Sequence, residues 1–204
     1  MQTPLQALQA ALESVEAGQV TDDDRDAVLN CALDELRKLR RNVDALVEYT
    51  APPTPVPMRC RVGEILLTVR EQIGHDLRSR LLVACDDHAP ELMIDGPLLV
   101  RSLRRIVENA LEAGSDQVLF ASRDGAAGRT FAVMNNCSSQ TLDPRDGATG
   151  FTSTKTDHIG LGLTLAMRDL ELMGGSVTVR RGFGGRTLVW AQLPAWTAVG
   201  KRAA

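Results

Sequence analysis

Prolines at positions 52, 53, 55 and 57 crowd into one short stretch, Ala51-Pro-Pro-Thr-Pro-Val-Pro57. Each fixes its own φ and removes a backbone donor, so no helix continues through the stretch and an extended linker is favoured. The chain therefore divides there. The division predicts a helical part over residues 1–51, a hinge over 52–60, a larger mixed part over 61–196 and a tail over 197–204.

Two helices precede the hinge. The first opens at Thr3-Pro4, a capping residue followed by proline at the first helical position. It carries Leu5, Leu8, Leu12 and Val15 at alternating spacings of three and four, and Gly18 stops it. The second opens in Thr21-Asp-Asp-Asp24, where carboxylates complement the positive end of the helix dipole. Its apolar positions Leu29, Ala32, Leu36, Leu39, Val43 and Leu46 keep heptad spacing, which specifies a seam that must meet other helices. Two helices cannot bury such seams alone. They can pack on the rest of their own chain; the more economical solution is a four-helix bundle made by two copies, a homodimer through residues 3–50.

With 204 residues, 44% hydrophobic and 24% charged, the chain suffices for one medium domain plus a smaller helical element. A net charge of −3 offers no general attraction to nucleic acid or to an anionic membrane. No stretch is long and apolar enough for direct membrane insertion, and no signal peptide is evident, so a cytoplasmic location is expected. Cys31, Cys60, Cys85 and Cys137 lack metal-ligand spacing and read as buried thiols in a reducing compartment.

Beyond the hinge, Val62–Arg78 reads as a helix with Ile65, Leu66, Val69, Ile73 and Leu77 on one face. Strands are expected over 81–85, 92–94, 117–122, 130–134 and 176–180, a helix over 98–113 and another over 161–173. The mixture suggests a two-layer α/β sandwich. Two segments carry chemistry. In Ile106-Val-Glu-Asn-Ala-Leu-Glu-Ala113, Asn109 stands beside the small residues Ala110 and Ala113, so something can lie close to the helix. A buried amide needs a partner. Some forty residues later, Phe151-Thr-Ser-Thr-Lys155 runs on to Gly160-Leu-Gly-Leu163, a hydroxyl and lysine cluster followed by glycines that open a helix. Free N–H groups at such an end, with no Cβ in the way, cradle phosphate. Glycines there also make tight turns, and a loop lysine is also a solvated charge.

In this order and spacing the segments resemble the N box and G2 box of the GHKL (Bergerat) ATPase superfamily, and within it the catalytic domain of sensor histidine kinases. Leu172-Met-Gly-Gly175 and Gly185-Arg-Thr-Leu-Val-Trp-Ala-Gln-Leu-Pro194 match the family's closing helix and strands. The hairpin and hinge are similar to its dimerisation and phosphotransfer region. The resemblance implies an α+β fold, with the helical hairpin followed by the ATP-binding sandwich. It implies ATP and Mg²⁺ as cofactors, with Asn109 coordinating the magnesium, a hard cation suited to a neutral oxygen ligand. Thr154 and Lys155 would contact the terminal phosphate. Gly160 and Gly162 would let backbone approach the phosphates, while Leu161 and Leu163 anchor the helix. The implied partner is a response-regulator receiver domain, which would take the phosphoryl group onto an aspartate.

Several positions depart from the family. The aspartate that reads the adenine amino group falls at Asn135, whose carbonyl accepts more weakly, by about 1–2 kcal/mol. Cys137 and Ser139 replace glycines that follow it, His158 replaces the first glycine of the G2 box, and Arg105 replaces the first polar residue of the N box. In the family pattern H-E-x-x-T-P-L, matching Thr3-Pro4-Leu5 places the phosphoacceptor histidine two residues before Met1. Either the polypeptide extends upstream, or the protein lacks that nucleophile. His75, His88 and His158 fall outside the hairpin. Two functions are therefore expected as alternatives: a histidine kinase core, or a degenerate dimeric relative that binds a signalling partner without turning over ATP.

Overall fold

The computed structural model describes residues 4–17, 22–85, 91–113, 115–125, 128–136, 161–181 and 186–194. The protein forms two compact units, one containing the first two helices and the other all later elements. In the first, α1 (Pro4–Glu16) packs against α2 (Asp22–Thr50) as a hairpin. Of the seam residues on α2, Ala32 is buried, whereas Leu29, Leu36, Val43 and Leu46 remain 39–49% exposed.

In the second unit, β1 (Met58–Arg61) pairs antiparallel with β3 (Glu91–Ile94), so the last residues of the expected hinge are a strand. Helix α3 (Val62–Gln72) ends sooner than the apolar pattern suggests, and α4 (His75–Arg78) is a separate turn. The backbone turns extended at Ile73, and the carbonyls freed there find a polar partner. Arg78 Nη2 lies 2.6 Å from the Glu71 carbonyl and 3.1 Å from that of Ile73, satisfying acceptors that a helix end leaves open. Ile73 itself stays buried.

Helix α5 (Gly96–Glu112) is tightly specified at its start. Asp95 Oδ1 accepts from Leu98 N–H at 2.9 Å, capping the helix, and Pro97 stands in the first turn. Its other oxygen accepts from Val56 N–H at 2.9 Å, tying the proline-rich segment to the same point. A Cβ on Gly96 would come within 2.6 Å of Cys60 Sγ, so only glycine lets β1 approach so closely.

The main sheet runs β2 (Leu81–Ala84), β4 (Val118–Gly125), β5 (Gly128–Asn135), β7 (Thr187–Leu193), β6 (Ser176–Arg181). Pairing is antiparallel except between β2 and β4. Alternation along the strands sends Val118, Phe120, Phe131, Val133, Val189, Ala191 and Leu193 into one core with Leu99, Leu103, Ile106 and Leu111 of α5. Buried in the same alternation is Arg129, whose Nη1 reaches Ser122 Oγ at 3.2 Å and whose Nη2 lies 2.7 Å from Asp124 across the hairpin. The result is the expected two-layer α+β sandwich.

Helix α6 (Gly162–Leu172) ends on a pair of glycines. Gly174 N–H donates to Glu171 O and Gly175 N–H to Leu170 O, both at 2.8 Å, with Gly174 at φ +77°. This is the double closure that glycine in the left-handed region permits. The expectation of buried cysteines fails at the described positions. Cys31 and Cys85 are exposed and Cys60 is half-buried, because the first faces outward on α2 and the second follows an edge strand. Cys137 lies outside the described residues. No helix among the described residues is long and apolar enough to cross a membrane.

Candidate nucleotide-binding site

Arg101, Arg105 and Asn109 are spaced by four and share one face of α5, the helix that packs on α6. Asn109 is half-buried, near the C-terminal end of α5, and its carbonyl accepts from Ala113 N–H at 3.2 Å. Gly162 opens α6. A Cβ built there meets nothing within 4 Å, and the first turn of the helix carries no acidic side chain. An anion at this end would meet a favourable dipole. Leu161 is buried and Leu163 packs against the core. Thr154, Lys155, Gly160, Cys137, Ser139 and His158 lie outside the described residues.

What holds α5 to α6 was not legible in the motifs. Asp169, on α6, is fully buried. One of its oxygens receives Arg101 at 3.0 Å and Arg105 at 3.3 Å, and the other receives Arg168 at 3.0 Å. Arg105, a departure from the N box, is thus explained by Asp169, a carboxylate in an otherwise apolar helix pattern. A charged residue at a core position was the available signal; such a residue is almost never fully buried unless paired.

Asn135 ends β5 and is 6% exposed. Its Oδ1 accepts from Thr187 N–H at 3.1 Å, and its Nδ2 donates to the Ala110 carbonyl of α5 at 3.4 Å. It thereby joins three elements beside Asn109. Next to that residue, burial pushes the Glu108 carboxyl above its ordinary range, against the pull of Arg104, whose Nη1 is 3.1 Å away. A raised native value means that the folded protein holds this proton more tightly than the unfolded chain. That stabilisation is complete at acidic pH and is lost as pH climbs through the native value. Glu108→Gln should therefore gain melting temperature relative to the parent on going from pH 4 to pH 8; a difference that stays constant across the range would rule out the linkage.

The residues present fit a magnesium triphosphate: an amide oxygen on α5, and a glycine-led, acid-free helix start on α6. Among the described residues no group of three His, Cys, Asp or Glu side chains could hold a metal. An ion here would depend on Asn109 and on oxygens of the ligand.

Comparisons with known proteins bear on the fold. No family model matches the chain. It is 25% identical over 164 residues to the C4-dicarboxylate transport sensor protein DctS of Rhodobacter capsulatus, a match that takes in 72% of this chain and 24% of that one. The chain thus spans about a quarter of that relative's length. Among solved structures, the histidine kinase AdeS of Acinetobacter baumannii superposes with a TM-score of 0.75 at 15% identity, covering 94% of this chain and 95% of the other. The fold is that of a histidine kinase core. Histidine kinase ThkA, solved in complex with the response regulator protein TrrA, gives 0.76 at 16% identity over 95% of this chain and 58% of its own. Full-length ShkA in complex with AMPPNP gives 0.70 at 21% over 98% and 47%. At such identities the likeness establishes the fold, which here is a histidine kinase fold in both helical and sandwich parts.

Proposed function

We propose that this chain is the core of a two-component sensor histidine kinase. It binds Mg-ATP in the sandwich unit, supports phosphoryl transfer to a histidine on a helical hairpin, and serves a response-regulator receiver domain. The observation that carries the reading is that α5, which bears Asn109, and α6, which opens at Gly162, are locked together through Asp169. The similarity to ThkA, solved with a response regulator, supports the partner, and ShkA, solved with AMPPNP, supports the nucleotide. None of the chain's three histidines, His75, His88 and His158, lies in α1 or α2.

Phosphoryl transfer asks little covalent chemistry of the protein; it asks for position and electrostatics. Magnesium would supply charge neutralisation across the phosphates. Asn109 would orient the ion through its amide oxygen, and the N–H groups of Gly162 and Leu163 would face the phosphate oxygens. Thr154 and Lys155 would meet the terminal phosphate, Gly160 would leave room for backbone to approach, and Leu161 and Leu163 would keep the start of α6 from shifting. Asn135 would close the end of the pocket where the base enters.

Asn109→Ala removes the ion's protein ligand while leaving a good helix former. Mg-ATP affinity should fall by at least about tenfold, about 1.4 kcal/mol, with the melting temperature nearly unchanged. Calorimetric titration with and without magnesium reads it, and equal affinity in mutant and parent would take Asn109 out of the site. A second reading, a dimeric relative that binds a signalling partner without ATP turnover, is favoured by the engagement of both ends of the Asn135 amide. Absence of any Mg-ATP heat in the parent would select it.

A further inference from the structure

The orientation of the Asn135 amide is dictated by its neighbours. A backbone N–H can only donate and a backbone carbonyl can only accept, so the atom facing Thr187 N–H must be Oδ1 and the atom facing the Ala110 carbonyl must be Nδ2. Thr187 is also the residue paired with Asn135 across β5 and β7, which places its N–H at the side chain by register. The Ala110 carbonyl lies in the last turn of α5, where helix carbonyls call on partners outside the helix, and the Asn135 amide is one such partner. One side chain thus pins the end of β5 to the end of α5 and to β7.

A carboxylate in this place could still accept from Thr187 N–H. It could not donate to Ala110 O; it would set an oxygen against an oxygen in a buried position, which is unfavourable. The amide is therefore what these two partners suit at 135 in this chain, and the fit has a chemical consequence for any base lying against it. An aspartate offers charge and spare lone pairs to an exocyclic amino group. Asn135 offers a neutral oxygen already holding one N–H and an NH₂ with one hydrogen already committed. What remains is one weak acceptor site and one weak donor site side by side.

Building on the nucleotide reading above, we infer that Asn135 is a structural pin that does not select adenine, so that the site takes purine nucleoside triphosphates with little regard to whether position 6 of the base carries an amino group or a carbonyl. An amino group meets the oxygen, a 6-carbonyl meets the NH₂, and neither partner brings a charge that would separate them.

The test uses the full chain. Calorimetric titration of ATP, GTP and ITP into the parent should give dissociation constants within about fivefold of one another, less than 1 kcal/mol. Asn135→Asp should lower the melting temperature by several degrees and leave ATP affinity unimproved. A parent that prefers ATP over GTP by more than about tenfold overturns the inference. So does an Asp variant that melts like the parent and binds ATP selectively tighter. Should Asn135→Asp fail to fold, the pin stands and the parent's preference among the three nucleotides decides the rest. Should the parent bind none of them, the nucleotide reading falls and the base claim with it; the melting comparison then judges the pin alone, and equal melting temperatures overturn it.

Discussion

Asp169→Asn will destabilise the sandwich unit by about 3–5 kcal/mol, the loss that follows when one partner of a buried ion pair is removed. The parent carboxylate is fully buried and is shared by Arg101, Arg105 and Arg168, whose side chains are only 30%, 14% and 21% exposed. Asparagine keeps the volume and one acceptor but removes the charge on which three guanidiniums converge. They then face one another across α5 and α6, in a setting where water screens them poorly. Urea unfolding followed by circular dichroism reads the change as a lower midpoint at unchanged slope. A partner experiment separates charge from packing. Asp169→Leu combined with Arg105→Leu removes one charge of each sign and returns an apolar contact, so it should recover part of the loss. A single Asp169→Asn protein with the parent's midpoint would show that the carboxylate is dispensable.

The second large effect concerns assembly. The parent chain should be a dimer at micromolar concentration, joined through α1 and α2. Leu36→Glu with Leu39→Glu should convert it to a monomer, raising the dimer dissociation constant by more than about a hundredfold, about 2.7 kcal/mol. Leu29, Leu36, Val43 and Leu46 form a heptad line on α2 that one chain leaves 39–49% exposed, with Leu33 and Val47 at 47% and 59% on the same helix. Such an apolar line in water marks an association surface, and two buried carboxylates without partners oppose it. Sedimentation or light scattering distinguishes the states. A monomeric parent would falsify the bundle and leave the exposed line to some other partner.

Much of the architecture could be read from local signals. Proline at 52, 53, 55 and 57 ended the hairpin, heptad leucines outlined α2, Gly174-Gly175 stopped α6, and the strand pattern gave β4, β5 and β6 within a few residues. These signals are short-range: a φ restriction, a cap, a period of 2 or 3.6. The same range explains the misses. At the end of α3 the Arg78 guanidinium folds back over carbonyls five and seven residues earlier, contacts that the apolar period does not record. The twofold use of Asp95, by Leu98 and by Val56, joins residues 39 apart. Of the candidate site, Asn109 and the Gly160–Leu163 run were visible as motif residues because the roles proposed for them demand particular residue types.

Sequence alone determined that this chain has two parts, that the second is a mixed sandwich, and which residue types could meet a metal and a phosphate, because each of these follows from local geometry or residue chemistry. Only the tertiary structure decided what the departures from the family pattern mean. Arg105 became the partner of a carboxylate 64 residues away, and Asn135 became a bridge between the Ala110 carbonyl and Thr187 N–H. A hydrogen bond between distant residues exists only once packing brings donor and acceptor within about 3 Å. No spacing along the chain encodes that distance.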